Sequence, residues 1–414
     1  MRVRNGLVAV AAAVGGHRWV WQGGGVLSSA KASNIDPFGD ASRVVEPDAC
    51  PAVFRPTNAS SPSLTLRARW VFRPAQQGLL FPIGVHSMSD YHVAVFGGGS
   101  VGLCLAASFA KAGARVSLLV RKSSVETLRN QPIEVSGLLG DHEIPAGAIT
   151  PCDAASPGDD VLRSDLLVLT TKAYDVVTAL EPFSLSGICP PVLLLQNGIG
   201  SAEIAKTTVG AGVPVYSTAM MIGMVREAPN KVAVTAWSSP IFCGPVLGDD
   251  PAPLNRMLGV AEHGFVPMVL DEKIRDTISF KVLFNTCMNP TGAITGQTYG
   301  ELLSNEDSRE LIVGLADETL AAFASAYDYH PATSGRDYVD NILTPIVFPK
   351  SQGHRSSMLQ DIRAGRKTEI DFLNGAIIRL ARDHGLSAPR HEAIHHLIKA
   401  CEASSHARDA IPSD

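Results

Sequence analysis

The chain has 414 residues, 45% of them apolar and 18% charged, with 35 Lys/Arg against 40 Asp/Glu for a formal net charge of −5. At about 150 residues per domain this predicts two or three domains with ample core material, and it excludes a single small module or a mainly disordered chain. The slight acidity offers no bulk cationic surface, and no run approaches the roughly 18 apolar residues of a membrane span, so a soluble protein with neither a nucleic-acid nor a membrane partner is expected.

Residues 1–87 carry nine Lys/Arg and four Asp/Glu, whereas the remainder carries 26 and 36, so a basic leader (+5) precedes an acidic body (−10). The leader holds Trp19, Trp21 and Trp70 and keeps no sustained helical or strand period. Met1-Arg-Val-Arg4 before the apolar residues 6–14 has the outline of a secretory signal, and the lack of acids before Asp36 equally suits a mitochondrial transit peptide. The favoured expectation is an unstructured or wrongly joined extension ahead of Met88. A cytoplasmic location goes with that expectation, a mitochondrial one with a genuine transit peptide. The seven cysteines (50, 104, 152, 189, 243, 287 and 401) stand singly, which suits a reducing compartment and small buried hydrophobes rather than a nucleophile.

Tyr91–Phe96 reads as a strand, and it is followed at once by Gly97-Gly98-Gly99-Ser100-Val101-Gly102 and then by a segment of helical composition. That is Gly-x-Gly-x-x-Gly between a strand and a helix, the arrangement that brings a backbone turn and a helix N-terminus against a pyrophosphate. A second strand over residues 114–120 ends in Arg121-Lys122, where an NAD site would place an acid on the ribose 2′-hydroxyl. A guanidinium there suits a 2′-phosphate, so NADP(H) is the expected cofactor. Apolar runs 164–171 and 191–195 predict central parallel strands, and the residues that follow them, Lys172 and Asn197, are expected at the ligand crevice beside the nicotinamide half.

From about Glu272 the pattern becomes helical. Lys281, Asn285 and Asn289 recur every four residues on one face of an otherwise apolar helix, which Pro290 is expected to end or bend. Buried Lys and Asn need partners, which argues for a polar pocket rather than a wet surface. A second four-spaced row, Ser357, Asp361, Gly365 and Glu369, would share a face if its segment were one helix, with a break at Gly365 the better expectation.

The Gly-x-Gly-x-x-Gly strand, the Leu195-Gln-Asn-Gly198 turn, the Lys281…Asn285…Asn289-Pro290 helix and the Ser356-Ser-Met-Leu-Gln-Asp361…Thr368-Glu-Ile-Asp371…Asn374-Gly375 signature resemble the ketopantoate reductase family, in order, from about Tyr91 to about Lys399. The resemblance implies an α/β protein: an N-terminal Rossmann-type dinucleotide-binding domain followed by an all-helical C-terminal domain, with the site in the cleft between them. The expected boundaries are a leader over 1–87, the NADP-binding domain over 88–272, the helical substrate domain over 273–405 and a tail over 406–414. The implied reaction is NADPH-dependent reduction of 2-dehydropantoate (ketopantoate) to pantoate, a step of pantothenate biosynthesis, by a monomer or homodimer. By position, Lys281 corresponds to the family's catalytic lysine and Glu369 to its active-site glutamate. Asn285, Asn289 and Ser357 match substrate-binding positions. The Gly97–Gly102 loop, Arg121, Lys172 and Asn197 fall on the cofactor side of the cleft.

One rival motif competes. His391-Glu392-Ala-Ile-His395 is literally His-Glu-x-x-His, a helical zinc signature, but its longer form would want Gly at 398 and His at 401, where the chain has Ile398 and Cys401. No metal is expected. Two further alternatives are a paralogous NADP-dependent reductase of another 2-oxo acid or carbonyl, and a non-catalytic NADP(H)-binding regulator, which would need neither Lys281 nor Glu369.

Overall fold

The computed structural model describes residues 90–347 and 352–408, together with three short antiparallel strands, Ala11–Val14, His17–Val20 and Ala30–Lys31. Two compact units are present, residues 1–83 and 84–414. The expectations for the rest of the 1–87 leader and for a start at Met88 lie outside the described residues, as do residues 409–414 of the expected tail. The last helix, Pro389–Arg408, runs into that tail.

The second unit opens with an eight-stranded sheet. Six of its strands are parallel, in the spatial order Thr150–Asp153, Arg115–Val120, His92–Phe96, Leu166–Leu169, Val192–Leu194 and Val215–Ala219. Numbered along the chain this is 3-2-1-4-5-6, the order of a dinucleotide-binding sheet, with its reversal beside His92–Phe96. Ile241–Gly244 then pairs antiparallel, and Met268–Leu270 closes that edge. Central strands such as Leu166–Leu169 are buried at every position, as strands covered on both faces must be.

A second, four-stranded sheet was not expected from the sequence. It joins Ile222–Ala228, Lys231–Trp237, Ile133–Gly137 and His142–Ile144. Its apolar face, including Ile133, Val135, Val232 and Val234, shares one core with the large sheet and with the helix Ser100–Lys111. Residues Gly102–Phe109 of that helix are consequently all buried.

From Ile274 onward the unit is helical. The 22-residue helix Ile274–Thr295 packs against Glu306–Tyr327 and Pro389–Arg408, with Val282, Leu283, Cys287 and Met288 in the core between them. Pro290 does not end this helix, which continues for five more residues. Having no N–H, Pro290 leaves the Thr286 carbonyl without its helical donor, and Asn374 Nδ2 supplies one at 3.0 Å. The Ser357–Glu369 row is not one helix: Ser357–Arg363 stops, Gly365 takes φ +62°, and a short turn Ile370–Phe372 follows Glu369. Among the described residues no helix is long and apolar enough to cross a membrane.

Candidate active site

The glycine turn is shaped by contacts that forbid side chains. A Cβ on Gly102 would overlap the Gly97 carbonyl oxygen, and one on Gly98 would stand 2.7 Å from Val120 Cγ1. Gly97, at φ +122°, would place a Cβ 2.5 Å from Thr170 Oγ1. Thr170 braces the turn from the neighbouring strand end by donating to the Phe96 carbonyl at 3.0 Å. Gly99 differs: nothing lies within 4 Å of its hypothetical Cβ, and no side chain caps the helix that begins at Ser100. The first-turn N–H groups and open space at Gly99 therefore fit a phosphate-bearing dinucleotide. Arg121 stands exposed at the end of Arg115–Val120, where it precedes the helix Lys122–Asn130.

Where the sheet and helical regions meet, residues scattered through the sequence converge. Lys281 Nζ donates to Asn197 Oδ1 at 2.8 Å, and Asn197 Nδ2 donates to Glu369 Oε2 at 3.2 Å. Glu369 Oε1 also accepts from the Ala173 backbone N–H at 3.2 Å. Lys172 Nζ donates to Asp361 Oδ2 at 2.7 Å and lies 3.6 Å from Glu369 Oε2, while Arg366 reaches Asp361 Oδ1 at 3.0 Å. Glu369 and Asp361, both buried, are thus satisfied by cations and amide donors on several sides, which is what burial of a carboxylate requires.

Burial pulls the Lys281 ammonium down to about 8, against the opposing pull of Glu369. Lys172 is displaced the other way: burial works to lower it, but Glu369 and Asp361 together outweigh that and hold it above its ordinary value. The two lysines are therefore displaced in opposite directions: two carboxylates hold Lys172 up, and burial pulls Lys281 down.

Asn197, Asn289, Ser357, Asp361 and Glu369 line a single narrow cavity, with Met358 and Leu373 as its apolar wall. Neither Lys281 nor Asn285 is part of that lining: Lys281 adjoins it through Asn197, Asn285 is buried one turn from both Lys281 and Asn289, and Arg121 stands apart. Asp361 and Thr170 were missing from the sequence-derived set of site residues. An acid set among Met358, Leu359 and Ile362 was the available signal for Asp361.

The histidines of the rival motif have other employment. His391 is fully buried: its Nε2 lies 3.0 Å from both Thr319 Oγ1 and the Leu315 carbonyl, and its Nδ1 accepts from Asn374 Nδ2 at 3.0 Å. Burial lowers its pKa to about 4, which keeps it neutral. His395 Nε2 instead pairs with Asp371 at 2.7 Å. At the start of the same helix, Pro389-Arg390-His391, the Glu318 carboxylate accepts the Arg390 and His391 backbone N–H groups at 3.1 Å.

Residues 93–248 match the family model described as ketopantoate reductase PanE/ApbA, and residues 273–402 match its C-terminal counterpart. The 2-dehydropantoate 2-reductase of Aquifex aeolicus is 27% identical over 310 residues, covering 74% of this chain and 96% of that protein. Its namesake from Vibrio cholerae is 28% identical over 316 residues, covering 76% and 98%. Among solved structures, a PanE/ApbA family ketopantoate reductase from Ralstonia eutropha JMP134 superposes with a TM-score of 0.65 at 22% identity, covering 76% of this chain and 99% of that one. A D-mandelate dehydrogenase in complex with NADH and anilino(oxo)acetate gives 0.65 at 23% identity with the same coverage, a likeness of fold alone. The chain belongs to the ketopantoate reductase family, oxidoreductases that work with a nicotinamide dinucleotide.

Proposed function

We propose that the chain reduces ketopantoate to pantoate with NADPH, and that the observation carrying this reading is the hydrogen-bonded series Lys281–Asn197–Glu369, whose last two members line the cavity. Bound NADPH would supply the hydride to the ketone carbon. The Gly97–Gly102 turn would hold its pyrophosphate, and Arg121 would grip the 2′-phosphate with charge-assisted hydrogen bonds. Lys281 would hydrogen-bond the substrate carbonyl oxygen, stabilise the negative charge that develops there and release a proton from Nζ to it. A lysine at about 8 can do this near neutral pH, whereas an ordinary lysine would hold its proton too tightly.

Asn197 orients Lys281 and keeps it in electrical contact with Glu369. Asn289 and Ser357 would hold the substrate carboxylate, with Asn285 lending its amide from the same helix. Glu369 would accept from the substrate's terminal hydroxyl. That last contact would favour a hydroxylated 2-oxo acid over an apolar one by one charge-assisted hydrogen bond.

The deciding experiment compares kcat/KM for NADPH oxidation with ketopantoate and with a panel of other 2-oxo acids, phenylglyoxylate included. Ketopantoate is expected to lead. If it is no better than the panel, the chain is a reductase of another acid on the same scaffold.

A further inference from the structure

We propose that Tyr299 is a positioning residue for substrate recognition: its hydroxyl fixes the Asn289 amide so that the NH2 group, rather than the carbonyl, faces the cavity. This rests on the reading of that cavity as the 2-oxo acid site. A primary amide is nearly symmetric in shape but opposite in polarity at its two ends, so a half-turn about its last bond changes what it recognises without changing its fit. Something must choose.

The Tyr299 hydroxyl donates to Asn289 Oδ1 at 2.8 Å. Both residues are buried, at 5% and 6% exposure, so water does not compete for either. A flipped amide would donate to the phenol oxygen and leave the buried phenol proton without an acceptor, which costs more than the bond it would form.

Tyr299 is itself immobilised from three directions. Its ring meets Phe284 edge-on at 5.3 Å and His354 at 5.2 Å, and its backbone N–H donates to the His354 carbonyl at 3.0 Å. It also opens the helix Tyr299–Ser304 directly after Thr298, which forms a capping box with Glu301. Asn289 is held independently through its own carbonyl, which accepts from Ser356 Oγ at 3.1 Å.

The cavity lining consequently carries groups of opposite kind. Asn289 and Ser357 offer donors, while Asp361 and Glu369, when ionised, can only accept. A substrate of the proposed class would set carboxylate oxygens against the donors and a donor such as a hydroxyl against an acceptor. Reversing the amide would set its lone pairs against the carboxylate.

The test uses the full chain and the 2-oxo acid that it turns over best. Tyr299→Phe keeps the ring and removes only the hydroxyl. KM for the acid is expected to rise about tenfold, with kcat within about twofold and KM for NADPH unchanged. In an Asn289→Ala background the same change is expected to add nothing, since Tyr299 acts through that amide. An unchanged KM, or a full additional penalty in the Asn289→Ala background, overturns the proposal. A neutron structure of the wild-type chain, where nitrogen and oxygen scatter differently, reads the amide without any variant: Oδ1 on Tyr299 supports the proposal and Nδ2 there overturns it. A wild-type chain active on a 2-oxo acid whose KM is indifferent to Tyr299→Phe removes only this inference. A wild-type chain that reduces no 2-oxo acid removes the functional reading and this inference with it.

Discussion

The two regions that face the cleft are built on opposite plans. The sheet region presents main chain: at Gly97, Gly98 and Gly102 the space a side chain would need is already taken, and the free N–H groups of the helix from Ser100 are what remains to offer. The helical region presents charge. Lys281, Asp361 and Glu369 come from separate segments and are made tolerable by Asn197, Lys172 and the Ala173 N–H from the sheet region and by Arg366 beside them. The first plan is intolerant of volume, the second of unbalanced charge.

The sharpest way to break that contrast is at Lys281. Lys281→Ala is expected to lower kcat about a thousandfold with NADPH affinity unchanged; near-normal turnover would remove its role. In the wild-type chain kcat should fall as pH rises through about 8, because the proton-donating ammonium is lost there. A rate still climbing at higher pH contradicts that assignment. Next in size, Gly102→Ala should cost about 3 kcal/mol or more in thermal or denaturant unfolding, since the overlapped atom is backbone and cannot rotate away.

Asn374→Leu should cost about 2 kcal/mol, by leaving the Thr286 carbonyl and His391 Nδ1 without their donor. A midpoint unmoved by this change would mean that those groups find other partners. Under the proposed cofactor role, Arg121→Ala should lower the preference for NADPH over NADH about tenfold, read from kcat/KM with each cofactor. The smallest effect sharpens the comparison most. Gly99→Ala should shift unfolding by no more than about 0.5 kcal/mol yet weaken NADPH binding, because the added methyl meets no protein atom. Equal destabilisation by Gly99→Ala and Gly102→Ala would mean that the whole turn is merely structural.

What the sequence disclosed follows from the same contrast. The glycine turn lies in one contiguous run, and the strands at its flanks are short apolar stretches, so period and punctuation suffice to find them. Lys281, Asn285 and Asn289 are visible because helical spacing is local too. The four-stranded sheet was hidden because Lys231–Trp237 pairs with Ile133–Gly137 across almost a hundred residues, and no local rule chooses such partners. The continuation of the helix past Pro290 was hidden for a related reason: the donor that makes it tolerable comes from Asn374, which no window around Pro290 contains. The Lys172–Asp361 pair joins residues 189 positions apart: the sequence marks Lys172 as a crevice residue and Asp361 as one of a four-spaced row, but nothing local pairs them.

The Thr286–Asn374 bond also ties two distant stretches of the chain to the same site. Thr286, in the helix that carries Lys281, precedes by 88 residues the amide that completes its broken ladder, so that helix reaches its full set of hydrogen bonds only with the C-terminal segment in place. Glu369 lies only five residues ahead of Asn374. The carboxylate nearest Lys281 through Asn197 and the amide that mends the lysine's helix therefore lie in one short stretch of chain, and a truncation before Glu369 removes both.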